Sequence, residues 1–126
     1  MAVRVAGGTA GGSEGERAAA RHLVRRGWLI LAHNWRGAGG ELDLVAARRG
    51  VVAICEVKTR RDRSALEEPV TAAQRRRIAR AAAAYLAGRP DLAGHAVRFD
   101  LLSVWRGPGR TRVRHLRGAF EPPGTD

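Results

Sequence analysis

Residues 41–59 read ELDLVAARRGVVAICEVKT, two apolar runs on either side of the dipeptide Arg49-Gly50. Runs of this length around a two-residue turn that contains glycine predict an antiparallel β-hairpin. Both faces of each run are largely apolar, as in a sheet that is covered on both sides. We therefore predict two strands, over residues 41–48 and 51–59, within a buried sheet.

The segments around this hairpin carry further helix and strand signals. Ser13 with Glu16, and Thr71 with Gln74, form capping-box patterns that predict helices ending near residues 27 and 87. The remaining elements follow from apolar runs, glycine and proline: a strand over residues 28–32, a glycine-rich loop over 33–40, a charged loop over 60–68, and strands over 95–105 and 110–117. The order helix, three strands, helix, two strands predicts a single α/β domain with a central mixed β-sheet flanked by helices.

The length of 126 residues fits one domain. Residues 13–117 form the predicted α/β domain. Residues 1–12 are rich in glycine and alanine and predict a flexible N-terminal tail, while residues 118–126, which include Pro122-Pro123-Gly124, predict a flexible C-terminal tail.

The formal net charge is +11 and the sequence pI is about 11.7, which predicts a polyanionic partner. Nucleic acid is favoured over an anionic membrane, because the predicted helices are alanine-rich and lack bulky apolar residues opposite their basic side. No apolar run approaches the roughly 18 residues of a membrane span. The single cysteine, Cys55, excludes an internal disulfide and favours a reducing, cytoplasmic setting.

The hairpin register brings charged side chains together. If Arg49-Gly50 is a two-residue turn, Asp43 lies opposite Glu56 with Cβ atoms about 5 Å apart. Lys58 shares their face because side chains alternate along a strand. Two carboxylates this close in an apolar sheet require a raised pKa or a bound cation. Oxygen ligands suit a hard ion, Mg²⁺ or Mn²⁺, which lowers the pKa of bound water as phosphodiester hydrolysis requires.

Lys58 also stands out in the composition, since it is the only lysine among 23 Lys and Arg residues. A lysine ammonium is compact and rotates freely, whereas guanidinium is planar and permanently charged. A site that orients a water or neutralises one phosphate oxygen can require the first and reject the second. We therefore predict that position 58 requires lysine.

Asp43 followed by Glu56-Val57-Lys58 resembles the acidic and E-x-K elements of the PD-(D/E)xK nuclease superfamily, which has a restriction-endonuclease-like fold. More narrowly, residues 13–105 resemble the YraN-like family of small bacterial proteins, which is similar to Holliday-junction resolvases. The motifs that carry this resemblance are Gly15-Glu16, Gly27-Trp28, Asn34-Trp35-Arg36, Gly40-Glu41-Leu42-Asp43-Leu44, Glu56-Val57-Lys58-Thr59-Arg60 and Arg98-Phe99-Asp100.

The resemblance implies a role for each residue of the predicted site. Asp43 and Glu56 would be metal ligands for Mg²⁺ or Mn²⁺, and Lys58 would position or activate the water or stabilise the transition state. Glu16 would be an accessory acid that reaches the metal directly or through water, and Gln74 would orient the site. Position 73 differs from the family's pattern, because it holds alanine where the resemblance leads us to expect lysine.

Structural roles compete with these functional ones. Glu16 and Gln74 each occupy the last position of a capping box. Capping of a helix would therefore explain the presence of both residues without a catalytic role. Lys58 could form an ordinary surface ion pair with Glu56 or with Glu41. Glu41 is otherwise expected to support the site or the loop before it.

Three other kinds of residue receive structural expectations. Asp100 is expected to pair with an arginine. Trp35 is expected in the core, with stacking on a base as the alternative. The four histidines have no metal-ligand spacing, and we assign them no chemistry.

These observations favour a metal-dependent endonuclease-like phosphodiesterase that acts on DNA, with branched or single-stranded DNA as candidates. The arginines expected to bind nucleic acid near the site are Arg36, Arg60, Arg61, Arg76, Arg77 and Arg80. One alternative is a non-catalytic nucleic-acid-binding module on the same fold, and another is an adaptor for an acidic protein. The resolvase resemblance favours a homodimer, because a four-way junction needs two matched cuts.

Overall fold

The computed structural model describes residues 13–60 and 70–121. Its elements are α1 (Glu14–Arg25), β1 (Leu29–Gly37), β2 (Gly40–Arg48), β3 (Val51–Arg60), α2 (Ala72–Ala87), a 3₁₀ turn (Pro90–Leu92), β4 (Ala96–Gly107) and β5 (Arg110–Leu116). The predicted order of two helices and five strands is confirmed.

The strands form one mixed sheet in the order β1-β2-β3-β4-β5. The pair β3 and β4 is parallel, and the other neighbours are antiparallel. Parallel neighbours need a crossover connection, which here includes α2. The predicted fold class, a central mixed sheet flanked by helices as in restriction-endonuclease-like proteins, is confirmed.

Each face of the sheet has its own hydrophobic core. On one face, Ala19 and Leu23 of α1 pack with Leu44, Cys55 and Leu102 of the strands. On the other, residues of α2 pack with a second set of strand residues, which includes Val45, Val52 and Ile54. Both faces of the central strands are therefore apolar because each meets a helix, as the hairpin pattern predicted.

The predicted loop over residues 33–40 is wrong, because β1 continues as a strand to Gly37. It pairs with β2 as far as Gly37 opposite Gly40, and Ala38 and Gly39 form the turn. The backbone of Asn34 has a φ of 52°, which interrupts the regular alternation of side chains within β1. Pairing with β2 keeps the segment in the sheet despite the polar and glycine residues that suggested a loop.

The end of the described chain contacts the domain. The N–H of Gly118 donates to Asp100 Oδ1 over 2.9 Å, and the ring of Phe120 lies 5.5 Å from that of Phe99. Residues 118–121 of the predicted C-terminal tail thus have contacts with β4. Residues 122–126, the predicted N-terminal tail and most of the predicted charged loop lie outside the described residues.

Asp100 is a fully buried carboxylate that ties β4 to β5. It accepts hydrogen bonds from Arg98 Nε over 2.8 Å and from the N–H of Gly118, and His115 Nε2 lies 2.7 Å from Oδ2. The expected pairing of Asp100 with an arginine is confirmed. Burial alone would raise the pKa of Asp100, but the hydrogen bonds from His115, Arg98 and Gly118 outweigh it and lower the pKa to about 2.

Gly40 fixes the distance between α2 and the start of β2. A Cβ atom at position 40 would lie 2.6 Å from the main-chain oxygen of Arg77, which cannot move without shifting the helix. We expect Gly40→Ala to lower the free energy of unfolding by about 1–3 kcal/mol, measured by urea denaturation. Gly94→Ala is the matched control, because a Cβ there would meet nothing within 4 Å. Equal stability of the two variants would contradict the close contact.

Asp100 predicts a specific loss of stability in acid. Its folded-state pKa lies below the ordinary 3.8, so its stabilisation is present above pH 4 and lost as the pH falls towards 2. The shift corresponds to about 2 kcal/mol. We expect Asp100→Asn to lack this part of the acid dependence in denaturant titrations between pH 2 and 5. The Glu121→Gln variant, which changes an exposed carboxylate, should retain it, and an unchanged acid slope in Asp100→Asn would contradict the prediction.

Candidate functional site

The site lies where β2 and β3 stop pairing regularly. Their ladder runs from Arg48 opposite Val51 to Leu44 opposite Cys55, which is the predicted register. The turn residues Arg49 and Gly50 have φ values of 49° and 78°, as a tight two-residue hairpin turn requires. Just beyond the ladder, Asp43 Oδ2 accepts a 2.8 Å hydrogen bond from the N–H of Val57. A side-chain oxygen thus enters the sheet between the two strands.

A small cavity of about 160 Å³ brings the two predicted metal ligands together. It is lined by Glu41, Asp43, Glu56, Gln74, Arg77 and Ile78. Three of these residues come from β2 and β3 and three from α2, so the cavity is closed by the helix that covers this face of the sheet. Glu41 was expected to support the site, and it lines the same cavity as Asp43 and Glu56.

Lys58 is paired with Glu56 at the same place. Its Nζ atom lies 3.5 Å from Glu56 Oε1, and the exposed fractions of the two side chains are 22% and 17%. A solvated surface ion pair would be much more exposed. The pair instead holds one positive charge beside the carboxylates, in surroundings where charge interactions are stronger than in water.

The pKa of Asp43 is raised to about 8. Burial is the largest cause, followed by the negative charge of Glu56, while the hydrogen bond from Val57 acts in the opposite direction. The charge of Glu16 and a hydrogen bond with Glu56 raise the pKa further. Two acids, Glu56 and Glu16, therefore act electrostatically on the Asp43 carboxyl group, and in the absence of a cation Asp43 holds a proton at neutral pH.

Glu16 approaches this group from α1. Ser13 caps the helix by accepting the N–H of Glu16 over 3.1 Å, and its hydroxyl lies 3.4 Å from Glu16 Oε1. The other oxygen, Oε2, is buried without a hydrogen-bond partner among the described residues and lies 3.7 Å from His33 Nε2. Capping of the helix thus uses the Ser13 side chain and leaves one Glu16 oxygen directed at the sheet.

Gly15 explains how α1 comes so close. A Cβ atom at this position would overlap the side-chain hydroxyl of Thr59 on β3. Any larger residue would push the first turn of α1 away from the strand that carries Lys58. The glycine therefore places the adjacent Glu16 within electrostatic range of Asp43.

Gln74 both caps α2 and lines the small cavity. Its Oε1 atom accepts the N–H of Thr71 over 2.9 Å, and the Thr71 hydroxyl accepts the N–H of Gln74 over 3.1 Å. The predicted capping box is therefore complete. The same box fixes the Gln74 side chain at the wall of the cavity.

Two of the predicted nucleic-acid-binding arginines, Arg36 and Arg77, line a second, larger cavity. It has a volume of about 670 Å³ and is lined by Arg36, Gly37, Gly39, Gly40, Glu41 and Arg77. Glu41 and Arg77 also line the small cavity, so the two cavities are neighbours. Arg76 and Arg80 are exposed on α2, and Arg60 is half-buried at the end of β3. Arg61 lies outside the described residues.

Trp35 has the core role. Its ring packs edge to face against Tyr85 of α2 with centroids 5.4 Å apart. Stacking on a base is therefore not needed to explain this tryptophan.

His33 is the site residue that the sequence did not reveal. It is buried on β1 beside Glu16, although the histidines were assigned no chemistry. Its place follows from the continuation of β1, where His33 pairs with Leu44, the residue next to Asp43. Recognising β1 as a longer strand would have placed His33 near the site.

The donor set can be compared with what a metal ion requires. Within residues 13–60 and 70–121, no three His, Cys, Asp or Glu side chains are arranged as a ready metal cluster. Asp43 and Glu56 nevertheless offer carboxylate oxygens at a point where negative charge is strongly disfavoured. Mg²⁺ is commonly held by one or two carboxylates while it keeps several waters. The residues present therefore fit a hard divalent cation.

Within the described residues, neither helix has the length and apolar character that crossing a membrane demands.

Comparison with known proteins identifies close relatives. A model of the uncharacterised protein family UPF0102 matches residues 15–104. The chain is 46% identical to a UPF0102 protein of Symbiobacterium thermophilum over 112 residues, covering 86% of this chain and 94% of that protein. It is also similar to a UPF0102 protein of Synechococcus sp. strain JA-3-3Ab, with 42% identity over 87% of this chain and 90% of the relative.

The pKa of Asp43 predicts how the metal-free protein responds to alkali. The pKa of Asp43 is higher in the folded protein, at about 8, than its ordinary value of 3.8 in the unfolded chain. Its contribution to stability is therefore complete below pH 3.8 and is lost as the pH rises through about 8. We expect Asp43→Asn to remove this loss, because the amide is neutral and its oxygen can still accept the N–H of Val57. In EDTA, the variant should gain melting temperature relative to wild type between pH 6 and 9.

The exposed Asp91→Asn variant serves as the control and should melt in parallel with wild type over the same pH range. If the melting temperatures of Asp43→Asn and wild type changed in parallel with pH, ionisation of Asp43 would cost no stability. That result would contradict the effect expected from its burial beside Glu56.

Proposed function

We propose that this chain, which belongs to the uncharacterised protein family UPF0102, is a Mg²⁺- or Mn²⁺-dependent nuclease that hydrolyses DNA phosphodiester bonds. One observation carries the proposal: Asp43, Glu56 and Lys58 converge beside one cavity, with an oxygen of Glu16 directed at the same strands. A structural explanation would require two acids of the sheet and one of α1 to gather at an energetic cost and without a benefit.

Asp43 and Glu56 are the residues that would hold the cation, with Glu16 as an accessory acid. When bound, such an ion polarises a phosphoryl oxygen and lowers the pKa of bound water. Binding would also counteract the raised pKa of Asp43, because a nearby positive charge favours the ionised carboxylate. The pair of carboxylates therefore serves as a cation site whose occupation relieves their mutual repulsion.

Lys58 would act on the phosphate and on the attacking water. Its ammonium group can donate hydrogen bonds to a non-bridging phosphate oxygen or to the water, and its positive charge offsets the negative charge that develops in the transition state. Glu56 holds this ammonium in place through their 3.5 Å contact. The three donors of an ammonium can turn towards a new partner, whereas a planar guanidinium cannot.

The larger cavity supports a nucleic-acid substrate. Arg36 and Arg77 border it and the acidic cavity follows directly, so a phosphate chain held by the arginines would pass the carboxylates. The side chain of Arg36 is 80% exposed and its nearest acid, Glu41, is 3.7 Å away, which leaves the guanidinium accessible to phosphate. The net charge of +11 favours binding to any nucleic acid.

The decisive experiment compares wild type with Asp43→Asn and Lys58→Ala on single-stranded, duplex, flap and four-way-junction DNA, each with Mg²⁺, Mn²⁺ or EDTA. We expect cleavage by wild type with either metal, and a loss of roughly 100-fold or more in both variants, because each removes a group that acts in the transition state. Asp91→Asn controls for the loss of a carboxylate and should cut as wild type does. Cleavage of the junction would additionally require a dimer, which light scattering would detect.

Lys58→Arg separates binding from chemistry. It preserves the charge, so we expect DNA affinity within about twofold of wild type and a loss of most cleavage. Wild type that binds DNA but cuts none of the four substrates with either metal would reject the nuclease and support the non-catalytic binding module. Affinity that does not fall with increasing salt would reject both and favour an acidic protein partner.

A further inference from the structure

A second basic surface lies on the other side of Lys58, across β3, β4 and β5. In the sheet register, Arg60 of β3 is the neighbour of Trp105 on β4, and Trp105 is opposite Arg112 on β5. Neighbouring strands are about 4.8 Å apart, so these three residues form one row across the sheet. Lys58, two residues before Arg60, lies on the same face. We call Arg60, Trp105, Arg110 and Arg112 the β-face strip.

The orientation of the strip is fixed by what packs on the opposite face. Leu102 and Val104 point into the core beneath α1, and Arg106 forms an ion pair with Glu14 of α1. Alternation along β4 therefore directs Trp105 away from α1. On the strip's own face, α2 packs mainly against β2 and β1, so neither described helix covers this part of β4 and β5.

Trp105 differs from the other two tryptophans. Trp28 is buried in the core beneath α1, and Trp35 packs against the core beneath α2. Trp105 belongs to neither cluster and is half-buried, and its Nε1 atom is buried without a hydrogen-bond partner among the described residues. An indole placed among arginines and outside both cores has the character of a stacking platform for a nucleic-acid base.

Charge on the strip is unbalanced. Arg110 and Arg112 are exposed, and their partners in the sheet register on β4 and β3 include no acidic residue. Arg60 is half-buried, and its Nε and Nη2 atoms are buried without a hydrogen-bond acceptor among the described residues. The exposed guanidinium groups of Arg110 and Arg112 favour an anion with several oxygens, and a phosphate chain supplies them at regular intervals.

We propose, resting on the nuclease function above, that the β-face strip binds an unpaired strand of DNA and leads it to Lys58, with a base stacked on Trp105. An unpaired strand is favoured over a duplex because bases within a duplex are already stacked on one another and do not offer a face to an indole. The larger cavity beside Arg36 and the strip then contact the nucleic acid on opposite sides of the carboxylates. The strip selects DNA that has a single-stranded segment next to the cut.

The test measures the binding of fluorescent oligo(dT), and of a duplex of equal length, in EDTA so that cleavage does not interfere. Trp105→Ala is expected to weaken oligo(dT) binding roughly 5- to 150-fold and to leave duplex binding within about twofold. Trp105→Phe keeps an aromatic face and should restore most of the affinity. Leu29→Ala, which removes another exposed apolar side chain, is the control and should bind as wild type does.

Arg112→Ala tests the phosphate contact. Loss of one contact should lower the slope of log affinity against log salt by roughly 0.7 for the single strand. Arg21→Ala removes an exposed arginine from α1, on the opposite face, and should leave both affinity and slope unchanged. Circular dichroism and melting temperature establish that each variant is folded.

The outcomes separate this proposal from the nuclease function. If folded Trp105→Ala and Arg112→Ala bind oligo(dT) as wild type does, the strip is not the binding surface, whether or not wild type cuts DNA. Equal weakening of oligo(dT) and of poly-glutamate would also overturn the proposal, because it would show a general polyanion surface. Selective loss of oligo(dT) binding supports the strip even if no substrate is cut, in which case the nuclease function alone fails.

Discussion

The register between β2 and β3 is the constraint on which the rest of the site depends. It is set by a turn of two residues, Arg49 and Gly50, whose positive φ values match the twist of a hairpin. A shift of one residue would exchange the two faces of β3 and turn Glu56 and Lys58 towards α1. The cores on both sides prevent such a shift, because it would also move every apolar residue of the strand to the wrong helix. Packing therefore secures the register, and the register places the charges.

The placement of these charges lowers the local stability of the fold. Asp43 interrupts the ladder, accepts one main-chain N–H and lies near two further acids in a half-buried position. Lys58 offsets part of the charge, but it contacts Glu56 rather than Asp43. Local costs of this kind persist in natural proteins mainly where the arrangement has a use, and the surrounding helices supply the necessary stability. Gly15 and Gly40 let α1 and α2 approach the sheet at the two sides of this site.

Much of this arrangement follows from local sequence signals. The turn, the two capping boxes and the apolar runs predicted both helices, the central hairpin and its register. Two features did not follow. The extension of β1 depends on pairing with β2 through Asn34, whose left-handed backbone breaks the alternation that identifies a strand. The row formed by Arg60, Trp105 and Arg112 depends on the parallel pairing of β3 with β4, which joins segments separated by a whole crossover and has no local signal.

That parallel pairing also affects how the chain folds. The β2–β3 hairpin can form from local contacts, but β3 remains an unprotected edge until β4 arrives from beyond α2. Its segment Val51–Cys55 is apolar, β-branched in part and free of proline, which is the composition of a strand that associates with other chains. Glu56 and Lys58 follow this segment directly, and charges at that position discourage such association. The two residues that are proposed to act in chemistry would therefore also disfavour association of the chain with other chains while it folds.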